Sequence, residues 1–234
     1  MFHKTVAQRL HRQLLVYWPL NEASDTRRSW YAKTVPIDLV LNNAAMGTLA
    51  GPSANLPVAL SIPGTANNWL DTNSVSHADL ILGRYRQATV VAWGYFASAG
   101  GIAGLFGKGH TAGVREWAID WSAGSWEFRW TTNGTSQASR AITGSVSATW
   151  QLLVARRDAA GWRLSLNSGI PQTPSLPTGD FVAGTEEFQV GHWDAQFQMT
   201  GRVGHIGIWN RFLSDAEIFR LFNNAQGYDL TRHA

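Results

Sequence analysis

Two neighbouring runs of this sequence place an aromatic or branched apolar residue at every second position. They are Trp117, Ile119 and Trp121 in the first run, and Trp126, Phe128 and Trp130 in the second. Side chains two residues apart lie on the same face of a strand, so each run predicts a strand with one large apolar face. The segment between them, 122–125, is short and contains glycine, which predicts a hairpin. Such faces must be buried against another layer, and this favours a β-sandwich.

Strand-like segments recur along most of the chain, with turn-forming residues between them. Further strands are predicted at 14–20, 58–62, 88–96, 150–156, 162–166, 188–191 and 203–209. Many short strands separated by turns are typical of a sandwich or barrel. We therefore predict an all-β fold, a two-sheet antiparallel β-sandwich of the jelly-roll type with a short C-terminal helix.

The C-terminal helix has its own signals. Ser214 and Glu217 have the spacing of a capping box, in which each side chain bonds to the other's backbone N–H. The apolar residues that follow share one helix face, and they are Ile218, Leu221 and Phe222. Gly227 is the predicted stop, because glycine readily adopts the left-handed conformation at a helix end.

The domain organisation is simple. Residues 1–13 are predicted to form an N-terminal arm or short helix, and residues 14–234 to form one sandwich domain. A chain of 234 residues is within the usual size of a single all-β domain.

Composition excludes several classes of function. The chain has no cysteine, so thiol catalysis, zinc–thiolate sites and disulfides are excluded. Its 19 basic and 16 acidic residues give a net charge of only +3, with no basic run that would follow a phosphate backbone, so we expect no nucleic-acid partner. No apolar run is long enough to span a bilayer, and the N-terminus lacks the apolar core of a secretory signal. These features favour assembly in a reducing cytoplasm.

Four segments together resemble the laminin G-like, concanavalin A-like lectin–glucanase jelly-roll family. They are 16–22, which looks like its first strand, 150–158 with 161–167, which look like its central hairpin, and 188–191 with 201–218, which look like its closing strands and helix. The resemblance covers about residues 14–227. It implies two curved antiparallel sheets, and a binding or glycan-processing function.

The family's calcium site is eroded in this sequence. Many relatives carry an Asp-x-Ser-Gly-Asn loop after the first strand, whereas Asp25 is followed here by Thr-Arg-Arg-Ser. Many also carry an Asp-Glu pair in the last strand, where this chain has Gly204 and His205. Calcium needs several converging oxygen ligands. We expect no cofactor and no metal, with Asp25 as the one weak calcium ligand candidate.

Glycoside hydrolysis needs two carboxylates flanking the scissile bond. Glu116, Asp120 and Glu127 are the nearest approach to such a set, and Glu116 and Asp120 could share a strand face. Their spacing differs from the Glu-x-Asp-x-x-Glu run of related glucanases. We predict no catalytic residues and no enzymatic activity.

Tryptophans in loops provide the candidate binding site. Trp69 and Trp193 are predicted to lie in loops, where an indole can stack on a sugar ring, and nearby Asp71, Asn73 and Asp194 could accept hydrogen bonds from sugar hydroxyls. The alternative is that these indoles pin loops to the body or lie at a subunit contact.

The sequence therefore predicts a non-enzymatic structural or adhesion module of a larger assembly. The predicted assembly is a bacteriophage particle, in which the chain would be a decoration, fibre or tail protein. Its partners would be other protein subunits, as a homo-oligomer or in a virion, and a cell-surface glycan. The expected location is the virion, assembled in the host cytoplasm, and the alternative is extracellular. A carbohydrate-binding lectin is the alternative function, and a glycoside hydrolase or lyase is the second alternative.

Overall fold

The computed structural model describes most of the chain. The described residues are 6–23, 26–42, 46–64, 68–73, 75–97, 102–109, 116–122, 124–132, 136–143, 148–171, 186–192 and 199–233. Its first eight strands are β1 Leu14–Trp18, β2 Thr26–Arg27, β3 Tyr31–Ala32, β4 Leu39–Asn42, β5 Thr48–Ala50, β6 Val58–Pro63, β7 Trp69–Asp71 and β8 Ala88–Phe96. The others are β9 Ile102–Lys108, β10 Trp117–Ser122, β11 Ser125–Thr132, β12 Ser136–Thr143, β13 Trp150–Asp158, β14 Gly161–Leu166, β15 Phe188–Val190 and β16 Thr200–Trp209. The α-helices are α1 Val6–His11 and α2 Asp215–Phe222, and short 3-10 helices span Ala78–Leu80, Leu82–Arg84 and Leu230–His233.

The strands form two antiparallel sheets of eight strands each within the described residues. The first sheet has the order β14-β13-β8-β16-β1-β3, with β6 also paired to β16 and β5 to β6. The second sheet has the order β12-β11-β10-β9-β15-β7-β4-β2. This confirms the predicted two-sheet sandwich with a short C-terminal helix.

The predicted aromatic hairpin is formed by β10 and β11. The directly opposed pairs are Trp117 with Trp130, Ile119 with Phe128, and Trp121 with Trp126. Gly124 occupies the turn with φ +89°, a left-handed conformation that glycine adopts without steric cost. The register therefore places all six large side chains on one face.

The main core lies between the two sheets. Phe128 of the second sheet approaches Trp162 of the first sheet with ring centroids 4.2 Å apart. Trp18 stacks on Phe188 in the same way at 5.0 Å, again across the two sheets. All four side chains are at most 1% exposed, and burial of each large aromatic side chain contributes on the order of 2–3 kcal/mol.

A second apolar cluster covers the outer face of the first sheet. Its members include Leu10 of α1, Trp93 of β8, Trp209 of β16 and Ile218 of α2. The Trp209 indole Nε1 donates a hydrogen bond to the carbonyl oxygen of Leu10 at 2.7 Å. Both α-helices are therefore packed onto the sandwich, α1 (Val6–His11) through Leu10 and α2 through Ile218.

Helix α2 begins as predicted and ends earlier than predicted. The Ser214 side chain accepts a hydrogen bond from the Glu217 backbone N–H, and the Glu217 side chain accepts one from the Ser214 backbone N–H. The helix ends at Phe222, and Asn223 is its left-handed C-cap with φ +46°. Asparagine tolerates this conformation because its short polar side chain can bond locally, so the helix stops five residues before Gly227.

Strand β16 contains a bulge at its centre. Gly204 pairs with Trp93 and Gly207 with Val91, so two residues of β16 are opposite one residue of β8. His205 lies within the bulge with φ +54°. On its other edge β16 pairs with β6 before the bulge and with β1 after it, so the bulge marks the exchange of partners.

Candidate functional site

Trp69 and Asp71 lie in β7, a short strand in the second sheet between β4 and β15, so the prediction that Trp69 lies in a loop was wrong. Leu70 at its centre is fully buried in the main core. Strand side chains alternate, so Trp69 and Asp71 face the opposite side, which is the outer face of this sheet. The indole of Trp69 is half-buried.

The Asp71 carboxylate is surrounded by donors. Its Oδ2 accepts a hydrogen bond from Trp69 Nε1 at 2.9 Å and a second one from the side-chain amide of Asn42. Its Oδ1 accepts a hydrogen bond from the Asn73 backbone N–H at 2.7 Å. Asp71 is only 5% exposed. Its observed role is therefore to orient the indole of Trp69, and its oxygens are largely occupied by protein donors.

His192 supports the indole from one side. The two rings are stacked with centroids 4.5 Å apart and an interplanar angle of 21°. His192 Nδ1 lies 3.2 Å from Gln189 Oε1, and Gln189 Nε2 donates to Glu187 Oε1 at 2.9 Å. A chain of hydrogen bonds therefore fixes the histidine on which Trp69 stacks, and the platform is held in one orientation.

The structure thus brings Trp69 and Asp71 together, and it places Asn73 beside them through its backbone N–H. Trp193 and Asp194 follow His192 directly in the sequence and lie outside the described residues, as does Asp25. Sequence reasoning missed Asn42, Gln189 and His192 as contributors. The signal that could have found them is that their strands, β4 and β15, both pair with β7.

The strand carboxylates considered for catalysis are paired with cations. Glu116 Oε2 lies 3.5 Å from Lys108 Nζ, and both side chains are fully buried. Arg129 pairs with Asp120 at 2.9 Å and with Glu127 at 2.9 Å. Burial lowers the pKa of Lys108, whereas Glu116 opposes that shift.

Glycoside hydrolysis needs one protonated acid and a second carboxylate on either side of a substrate. In this structure Glu116 is paired with Lys108, and Asp120 and Glu127 are both paired with Arg129, so each of the three carboxylates already has a protein cation as its partner.

The residues at the expected calcium positions do not fit that ion. Gly204 has no side chain, and the His205 imidazole Nδ1 is hydrogen-bonded to the Tyr17 hydroxyl at 2.5 Å. Calcium is bound by oxygen ligands, which neither residue supplies from its side chain. Among the described residues there is no group of three or more His, Asp or Glu side chains placed to hold a metal ion. Within the same residues, no helix is both long enough and apolar enough to cross a membrane.

Comparison with known proteins gives structural neighbours only. No family model matches the chain, and no curated protein matches its sequence. The binding domain of Paraclostridial Mosquitocidal Protein 1 is similar in structure, with a TM-score of 0.73, 11% identity, and coverage of 94% of this chain and 53% of that one.

Two binding-domain structures of botulinum neurotoxin DC are also similar. One is in complex with SialylT, with a TM-score of 0.67 and 11% identity. The other is in complex with rat synaptotagmin II, with a TM-score of 0.65 and 10% identity. Each comparison covers 95% of this chain and 53% of the neurotoxin chain. This chain therefore spans about half the length of its structural neighbours, and at such identities the likeness establishes the β-sandwich fold alone. The laminin G-like assignment within that fold stays a prediction.

Proposed function

We propose that this chain is a non-enzymatic binding module that recognises a glycan through the Trp69 platform. The observation that carries the proposal is the half-buried indole of Trp69, oriented by Asp71 through its Nε1–H and stacked on His192. An aromatic ring fixed before binding loses little conformational entropy when a ligand stacks on it. The similar toxin chains are binding domains, which supports a binding role for this chain without identifying its ligand.

The chemistry of the platform suits a sugar ring. The apolar C–H face of a pyranose can pack on an indole, and polar groups around it can bond to the hydroxyls. Asn73 is exposed beside the platform and offers both a donor and an acceptor. The ion-paired state of Glu116, Asp120 and Glu127 supports binding without hydrolysis.

A glycan array with matched variants tests this proposal. Trp69→Ala should give binding signals on the array that are at least tenfold weaker than those of the wild-type protein. Trp30→Ala, which removes another half-buried tryptophan that packs against Tyr17 of the first sheet, should retain them. Equal loss in both variants, or a wild-type protein that binds no glycan, would contradict the proposal.

We further propose that the module works as part of a larger assembly, such as a bacteriophage particle. There it would contact other protein subunits, either as a homo-oligomer or as a component of the virion. The support is the cysteine-free, low-charge sequence. A free extracellular lectin is the alternative setting. Mass photometry of the pure protein and copurification with particles distinguish the two, and a strict monomer that no particle contains would exclude the assembly.

A further inference from the structure

A second candidate site lies on the opposite side of the sandwich, beyond the C-terminal end of α2. It is a cleft of about 160 Å³, and its polar lining includes Asn55, Arg220, Asn223, Tyr228, Asp229 and Arg232. This volume is below the roughly 300 Å³ of pockets that hold drug-sized ligands, so a compact occupant is required. Because α2 packs on the outer face of the first sheet, the cleft is independent of the Trp69 platform on the second sheet.

The cleft contains one uncompensated positive charge. Arg232 Nε pairs with Asp229 Oδ2 at 3.3 Å. The other oxygen of Asp229 accepts hydrogen bonds from the backbone N–H and the hydroxyl of Thr231, at 2.9 and 2.7 Å. Asp229 is therefore committed to Arg232 and Thr231, and it does not neutralise Arg220.

Arg220 is the cation left available. Its guanidinium lies 5.3 Å from the centre of the Tyr228 ring, and within the described part of the chain it has no carboxylate partner. Stacking on an aromatic face restricts the guanidinium while leaving its N–H edge free to donate. A planar guanidinium with a free edge matches the two oxygens of a carboxylate in a bidentate pair.

The turn after α2 contributes Asn223 and Gly227 to the lining of the cleft. Asn223, Asn224 and Ala225 are three consecutive non-glycine residues with left-handed φ values, of +46°, +53° and +65°. The turn is held by hydrogen bonds from Asn223 Nδ2 to the Gly227 carbonyl and from the Gly227 N–H to the Phe222 carbonyl, both at 3.0 Å. Such backbone conformations persist only where surrounding contacts hold them, so the lining of the cleft is set before a ligand arrives.

Neutral polar groups complete the lining. The side-chain amide of Asn55 is half-buried and makes no hydrogen bond with the described residues. Asn223 uses its Nδ2 in the turn and has its Oδ1 available as an acceptor. One free cation, one amide and one further acceptor suit a small ligand that bears one acid group and several hydroxyls.

We propose that this cleft binds a monosaccharide-sized acidic sugar, with the ligand carboxylate paired to Arg220 and its hydroxyls bonded to Asn55 and Asn223. Isothermal titration calorimetry of the full chain with sodium glucuronate tests the proposal, with glucose and inorganic phosphate as comparison ligands at constant ionic strength. Glucuronate should bind saturably, more weakly as salt is raised, and at least tenfold more tightly than glucose or phosphate.

Matched arginine variants locate the site. Arg220→Ala should weaken glucuronate binding at least tenfold, and Arg220→Lys should be intermediate because an ammonium cannot form the bidentate pair. Arg86→Ala removes the same charge from an exposed position outside the cleft and should bind as the wild type does. An unchanged unfolding midpoint of Arg220→Ala would show that the loss is local.

Three results would overturn the proposal: no saturable glucuronate binding, equal binding by Arg220→Ala, or tighter binding of phosphate or glucose than of glucuronate. Trp69→Ala should bind glucuronate as the wild type does, so the two proposed sites can be tested separately.

Discussion

At the scale of single residues, the outer face of the second sheet and the bulge of β16 show side chains whose surroundings decide their role. Asp71 looked like a sugar-binding acceptor in the sequence, yet three protein donors bond to its two oxygens. His205 lies in a bulge with left-handed φ and is bonded through Nδ1 to Tyr17. The decisive partners include residues far away in the sequence, because Asn42 is 29 positions from Asp71 and Tyr17 is 188 positions from His205.

The buried imidazole of His205 predicts a pH-dependent stability. Burial lowers its pKa to about 4, helped by Arg232 and opposed by Asp229. In the unfolded chain the pKa is about 6.5, so the unfolded state takes up a proton first as the pH falls. The free energy of unfolding should therefore fall between pH 6.5 and 4, by roughly 3 kcal/mol at most, and this contribution should level off below pH 4.

Chemical denaturation across that pH range measures the effect. His205→Asn keeps a residue that tolerates left-handed φ and removes the titrating group, so its stability should depend less on pH than that of the wild type. Identical pH profiles for the two proteins would show that His205 is not the responsible group.

At the scale of elements, period-two alternation was enough to define the hairpin of β10 and β11 with the correct register. The six alternating aromatic and branched residues are paired in three opposed pairs, as the spacing required. The start of α2 was also predictable from the sequence, because the two residues of its capping box are three positions apart. The end of α2 was not predictable, because asparagine and glycine both tolerate a left-handed φ. Hydrogen bonds within the turn decide that the helix ends before Asn223 and not before Gly227.

The hairpin turn gives a test at this scale. Gly124→Ala should lower the free energy of unfolding by about 1–2 kcal/mol, because φ is +89° there and an added Cβ is strained even though it meets no atom within 4 Å. Gly47→Ala also meets no atom within 4 Å but has no left-handed φ, and it should be neutral or slightly stabilising. Urea unfolding measures both variants, and equal effects would contradict the turn geometry.

At the scale of the whole molecule, the first sheet is buried on both faces. One face joins the main core, and the other is covered by α1, α2 and the chain's C-terminal segment. Val91 and Trp93 are two residues apart in β8 and share a face, and that face belongs to the second cluster and lies beneath the helices. Sequence periodicity identifies a face without saying which layer covers it.

The role of the N-terminal helix can be tested through its buried leucine. Leu10 is 0% exposed, and Leu10→Ala should cost about 3 kcal/mol of unfolding free energy, within the range for buried leucines. Leu49→Ala, at a leucine that is 48% exposed, should change stability by no more than about 0.5 kcal/mol. Thermal or urea unfolding compares them, and a neutral Leu10→Ala would mean that α1 is a detachable arm.

The sequence by itself determined the sandwich class, most of its strands, the aromatic hairpin and the start of α2, because each depends on residues close together in the chain. Only the tertiary structure decided the sheet order, the second apolar cluster, the cleft beyond α2, and the supporting residues Asn42, Gln189 and His192 around Trp69. Asn42 reaches Asp71 across 29 positions, and Trp209 reaches Leu10 across 199. Contacts over such separations depend on which strands become neighbours, and local periodicity does not contain that information.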